Sequence, residues 1–309
     1  MKGKRPGIVE YVPWFILSAI GIYARHAPRF MRYWGYGSLT TLAYFLWRSR
    51  LKMALEHIRL AFPNEPEPKL LKIARGSYAN ISRLATEFFH MRYITKENMG
   101  QYVTFTGFEN FERAFDRGNG VVLVWAHFDN FEMVHYALAV LGYPVHTLIR
   151  KVDNQLLDEK TDKMREESGQ KIIKREGAAG EMIRRLREGG VVAIAADQNA
   201  LFNSVFVKFF GKWASTIKSP AVMHLRTGAP IIPYYSVNEK DGRHTAVFLP
   251  EIKTEPTGDV KADVARITQK IADVQADFIA TRPDLWLWIH RRWKIQPNEK
   301  ELAELGGPT

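Results

Sequence analysis

Cysteine is absent from all 309 residues, which excludes disulfides, Cys-ligated zinc and a cysteinyl covalent intermediate. Any thioester chemistry must then use a thiol brought by the substrate. The nine histidines contain no HExxH run and no other metal-ligand spacing, so neither a metal nor another cofactor is expected. No RNA- or DNA-reading motif is present either, which argues against a nucleic-acid partner. Apolar runs of about 20 residues, enough to span a bilayer comfortably, are also lacking. The N-terminal "YVPWFILSAIGIYARHAPRFMRYWGYGSLTTLAYFLWRSR" is broken by Arg25, His26, Pro28, Arg29 and Arg32 into two shorter aromatic-rich runs. Arg and aromatic residues follow them where a secretory cleavage site would need small residues. The two runs read as interfacial helices with Trp14, Tyr23, Trp34, Tyr36 and Trp47 at headgroup depth, the alternative being helices packed on a soluble core.

What is abundant is positive charge: 44 Lys plus Arg against 33 Asp plus Glu, net +11, which favours anionic partners such as acidic membrane surfaces, phosphorylated lipids or an acidic carrier protein. Three regions are expected: a membrane-associating helical segment over 1–48, an α/β domain over 49–297 and a flexible tail over 298–309. Residues 50–93 read as helical, broken at "FPNEPEP" by three prolines. Strand signals at "VTFTGF", 121–126, "PVHTLIR" and "VVAIAAD" then alternate with helical segments. This order predicts an α/β fold with a mostly parallel sheet covered by helices. "APIIPYYSV" and "HTAVFLPEI", joined through Asp241-Gly242, predict an antiparallel hairpin at one side. A long amphipathic helix is expected over 259–281.

In open α/β sheets ligands bind at the carboxyl ends of the parallel strands. Three predicted strands end there in functional groups: Ala126 runs into His127, Ile149 into Arg150, and Ala196 into Asp197 and Gln198. The stretch "VVLVWAHFDNFEM" adds Asp129, Asn130 and Glu132 just beyond His127. In one continuous helix, His127 and Glu132 would lie about 140° apart and could not share a proton. With a strand ending at Ala126 and a helix starting near Asp129 or Asn130, both good N-cap types, the two side chains can converge.

The segments "HFDNFE", "LIRKVDNQLLDE", "KREGAAGEMIRRLREGG", "ADQN", "VFVKFFGKWASTIKSPAVMHLRTGAPIIP" and "LWLWIHRRWK" follow one another in this order. From about Leu51 to Pro297 the chain resembles the bacterial lipid A late acyltransferases, lauroyl and myristoyl transferases, and the related phosphatidylinositol mannoside acyltransferases. The resemblance implies a glycerolipid acyltransferase-like fold and attachment at the cytoplasmic face of the inner membrane. It implies a His-x4-acid motif, which falls on His127 and Glu132. The family's motif interior carries Gly and Trp, where this chain has Asp129 and Phe131. The implied donor is an acyl-carrier protein or acyl-CoA thioester, and the implied acceptor is a hydroxyl of a lipid A precursor or related glycolipid. Other acceptors remain open: a phosphatidylinositol mannoside, a lysophospholipid or an amino lipid. So does a non-catalytic basic lipid-binding protein.

On this reading His127 is the general base and Glu132 its orienting acid. Arg150, or the N–H groups at the helix start, would receive the oxyanion. Asp197 and Gln198 would position the acceptor or brace Arg150. Phe209, Phe210 and Gly211 would wall an acyl chain. His290, Arg291 and Arg292, interleaved with Trp286, Trp288 and Trp293, fit either a headgroup contact or a cation–π cluster.

Overall fold

The apolar runs form a seven-stranded sheet in the computed structural model, which describes residues 8–26, 31, 35, 37, 38, 40–42 and 46–305. Its strands are β1 (Val103–Thr106), β2 (Val121–Trp125), β3 (Val145–Ile149), β4 (Lys171–Lys174), β5 (Val191–Ala195), β8 (Ile231–Asn238) and β9 (His244–Phe248). Their spatial order is β1-β9-β8-β2-β5-β3-β4. β8, β2, β5, β3 and β4 are mutually parallel, and β9 is antiparallel to β8, as the Asp241-Gly242 turn predicts. β6 (Ser204–Phe209) and β7 (Lys212–Ile217) make a separate antiparallel hairpin.

β2 is buried along its whole length because it is covered on both faces. Val121, Leu123 and Trp125 pack toward α3 (Glu67–His90), α4 (Phe108–Phe115), α5 (Phe131–Val140) and α6 (Gln155–Glu166). Val122 and Val124 pack toward α7 (Ala178–Arg187), α8 (Ser219–Thr227) and α9 (Val260–Thr281) on the opposite face. Fully burying a side chain of this size contributes roughly 1.5–3 kcal/mol, so the alternation holds the central strand firmly. A third core joins the β6–β7 hairpin to α2 (Arg48–Ala61), α3 and the buried Trp286, Trp288 and Trp293.

Gly120 enters β2 at φ +69°, and a Cβ there would lie 2.5 Å from the Leu186 carbonyl oxygen and 2.7 Å from that of Gly190. Gly120→Ala is therefore expected to cost more than about 1 kcal/mol of stability. Urea unfolding checks this, and an unchanged midpoint would show that the entry to β2 can shift freely.

Some elements depart from the expectations. β4 is the sequence "KIIK", whose flanking lysines hide a short edge strand. The tail carries a short helix, α10 (Glu299–Glu304), closed by a capping box between Asn298 and Glu301. α1 (Ile8–His26) lies against α3, with the Trp14 and Phe89 rings 5.9 Å apart. Trp14 thus faces protein, while Tyr11, Val12, Phe15, Ile16, Ile22 and Tyr23 are exposed. No described helix is long and apolar enough to cross a membrane. Much of the second N-terminal run, with Trp34 and Tyr36, lies outside the described residues.

Candidate active site

Strand register places the central pair. β2 and β5 are neighbours with Trp125 opposite Ala195, so two residues further along each strand His127 meets Asp197. The Asp197 carboxylate accepts the His127 backbone N–H at 2.8 Å and lies 2.9 Å from the imidazole Nδ1. It also accepts the Trp286 indole N–H at 2.7 Å. Burial alone would raise the Asp197 pKa, but its closeness to the His127 ring and these hydrogen bonds overcome it and carry it down to about 2. An ionised carboxylate only accepts, so Nδ1 must carry the proton and the Nε2 lone pair is left free. The ring is 23% exposed, bordered by Trp125 and Phe131 at centroid distances of 4.9 and 5.2 Å.

The imidazole opens into a cavity of about 350 Å³ at the carboxyl ends of β2, β3 and β5. That is toward the small end of the roughly 300–1,000 Å³ typical of ligand sites. Glu132, Thr147, Arg150, Arg165, Arg175 and Gln198 also line it, and among the described residues its wall contains no serine or cysteine. A larger depression of about 580 Å³ beside α9 contains no histidine and lies apart from these residues.

Glu132 shares the cavity with His127, but among the described residues no hydrogen bond joins the two. Its carboxylate is gripped by Arg165 of α6, with Nε 3.0 Å from Oε2 and Nη2 2.5 Å from Oε1. Burial pushes the Glu132 pKa up, and the Arg165 charge and hydrogen bonds more than reverse this, so it stays ionised. The expected His127–Glu132 contact is thus replaced by His127–Asp197. The reason is that β5 adjoins β2, while the first turn of α5 directs Glu132 to a guanidinium fork well matched to a carboxylate.

Asp129 and Asn130 are buried and do not line the cavity. Asp129, at φ +48°, accepts from Arg83 at 2.7 Å and lies 2.6 Å from His244 Nδ1. His244 Nε2 is in turn 3.0 Å from Glu87, and Asn130 donates to Glu87 at 2.8 Å while capping Met133 N–H at 3.1 Å. The turn carrying His127 is therefore tied to α3 and β9 through a buried ionic network. Neither Arg83 nor His244 carried a sequence signal, since each is far from Asp129 along the chain.

Phe209, Phe210 and Gly211 do not line the cavity. Phe209 packs on Trp286 and Trp293, Phe210 packs on Phe62 and Trp288, and Gly211 at φ +73° completes the β6–β7 turn. Arg292 is fully buried with its guanidinium 4.7 Å from the centroid of the Phe209 ring, and it donates to Ser215 O at 2.8 Å. Burial lowers its pKa to about 10. Its role is the structural cation–π cluster rather than a headgroup contact. Arg150 and Gln198 do line the cavity, as the strand-end argument requires, but Asp197 holds His127 and does not brace Arg150.

A mostly parallel α/β sheet with an imidazole–carboxylate pair opening into a basic pocket is an arrangement able to support general-base chemistry. Residues 4–295 match the model of the bacterial lipid A biosynthesis acyltransferase family, and the chain belongs to that family. It is an acyltransferase. It is 27% identical over 238 residues to the phosphatidylinositol mannoside acyltransferase of Mycolicibacterium smegmatis, covering 76% of each chain. It is 25% identical to the lipid A biosynthesis palmitoleoyltransferase of Escherichia coli, over 81% of this chain and 80% of that one. The lauroyltransferase of the same organism is 24% identical, over 84% of each chain.

Proposed function

We propose that this acyltransferase moves a fatty acyl group from an acyl thioester, on acyl-carrier protein or coenzyme A, to a hydroxyl of a glycolipid. A lipid A precursor or a phosphatidylinositol mannoside is the favoured acceptor, by likeness to the named relatives. The observation that carries the reading is His127, held through Nδ1 by Asp197 with Nε2 free toward the cavity. Nε2 takes the acceptor's O–H proton as its oxygen attacks the thioester carbonyl. Asp197 keeps the tautomer and stabilises the imidazolium. The uncommitted backbone N–H groups in the first turn of α5 receive the developing oxyanion. The C–S bond then breaks, and the thiolate, whose thiol has an ordinary pKa of about 8.5, takes the proton back from Nε2. Glu132 and Arg165 shape the wall beside the reacting carbonyl. The exposed apolar side chains of α1 support peripheral attachment to a membrane surface.

The test is incubation of the purified protein with labelled acyl thioester and vesicles containing the glycolipid. Mass spectrometry should find one added acyl ester per acceptor and one free thiol released. Without acceptor, rapid denaturation should trap no acylated peptide, because among the described residues the cavity wall holds no serine or cysteine, and the hydroxyl of its one threonine, Thr147, is bonded to Gln170 and has no base beside it in a hydrogen bond. A stoichiometric acyl-enzyme would overturn direct transfer.

A further inference from the structure

The geometry points to a phosphate-binding subsite at the rim of the His127 cavity, built by Arg150 and Arg175. The inference rests on reading that cavity as the acyl-transfer site. β3 and β4 run parallel with Ile149 opposite Lys174, so the next residue on each strand is an arginine. The Arg175 backbone N–H donates to the Ile149 carbonyl at 3.0 Å, which keeps the two strand ends together beyond the last paired residues. Both side chains are exposed and both line the cavity.

Like charges on neighbouring strand positions repel one another, and an anion between them would relieve that repulsion. Among the described residues neither arginine has a carboxylate partner. The nearby cations are already committed: Arg165 to Glu132, and Lys174 to Asp158 and Asp162. Three guanidinium groups line the cavity against one carboxylate, and that carboxylate belongs to Arg165. The unmatched charge therefore sits at Arg150 and Arg175. Two adjacent planar forks suit a group with several charged oxygens in a compact cluster, and a phosphate ester or diphosphate meets that description. The uncharged hydroxyl and thioester that react at His127 do not need such a pair. The phosphate can belong to the carrier arm of the thioester or to the glycolipid acceptor, and the subsite would anchor it while His127 acts on the reacting end.

The experiment compares the full-length protein with Arg150→Gln/Arg175→Gln. Lys171→Gln/Lys240→Gln, at two exposed sites off the cavity lining, controls for the same loss of two charges. KM and kcat are measured with acyl-coenzyme A and with phosphate-free acyl-pantetheine, each with a phosphorylated and a dephosphorylated acceptor. Inorganic pyrophosphate binding is followed by calorimetry. The double variant should raise KM for the phosphate-bearing partner on the order of 10–100-fold, with kcat changed far less, and should weaken pyrophosphate binding. Its KM for the phosphate-free version of that partner should match the wild type. Whether the loss follows the donor or the acceptor identifies the source of the phosphate. Equal KM values for phosphorylated and phosphate-free partners in both proteins, with pyrophosphate binding unchanged, would overturn the subsite even if transfer still needs His127. Arginine-dependent pyrophosphate binding without any acyl transfer would instead leave the subsite standing and remove the proposed reaction.

Discussion

Replacing His127 with alanine is expected to lower acyl transfer by about 10²–10⁴-fold while leaving the fold intact, because the ring is partly exposed and is the proposed base. Asp197→Asn is expected to approach the same loss. An asparagine amide turned to donate to Nδ1 would leave the proton on Nε2, which is the wrong tautomer for a base. Even turned the other way, it could not stabilise the imidazolium. The His127→Ala/Asp197→Asn double variant should be scarcely slower than His127→Ala alone, since residues acting as one unit are strongly non-additive. Glu132→Gln is the discriminating comparison. It leaves the His127–Asp197 contact in place and weakens the grip of Arg165, so the loss of stability should exceed the loss of rate. Steady-state transfer under saturating donor, alongside thermal unfolding, measures both. A folded His127→Ala protein with near wild-type turnover would remove the mechanism. A folded Glu132→Gln protein slower than Asp197→Asn would return the orienting role to Glu132.

The largest effect on stability is expected at His244→Gln. Both ring nitrogens of His244 face carboxylates, Asp129 at 2.6 Å and Glu87 at 3.0 Å, and the side chain is buried. Removing its charge strands the buried Asp129 and the partly buried Glu87, with Arg83 still bonded to Asp129, and breaking such a pair costs roughly 3–5 kcal/mol. The pH dependence follows from the direction of the shifts. Burial would lower the His244 pKa, but Asp129 and Glu87 raise it from 6.5 to about 10. Stability from this proton is thus fully present below about pH 6.5 and is lost progressively as pH rises toward 10. On the acid side burial opposes ionisation of Asp129, yet His244 and Arg83 bring its pKa to about 2. That contribution is present above about pH 3.8 and lost as pH falls toward 2. Urea unfolding of wild type and His244→Gln at pH 6, 8 and 9.5 should show the gap between them narrowing with pH. A constant gap would mean that His244 is not charged in the folded protein.

Local pattern alone determined much of this protein. The unbroken apolar run 121–125 reads as a buried strand, and Asp241-Gly242 between two alternating segments reads as a hairpin turn, and both form. The strand-end rule brought His127, Arg150 and Gln198 to one cavity, because side chains that follow parallel strands share an edge whatever the strand order. Strand order itself was decided in three dimensions. Placing β5 beside β2 set Asp197 opposite His127, 70 residues away in sequence, and gave it the contact that spacing assigned to Glu132. Asp129 found His244 across 115 residues in the same way, and Trp286 reached Asp197 from the far end of the chain. Sequence periodicity records which face of an element is apolar, but which charge a buried charge meets depends on sheet order and register, which are set when the separate apolar faces pack together.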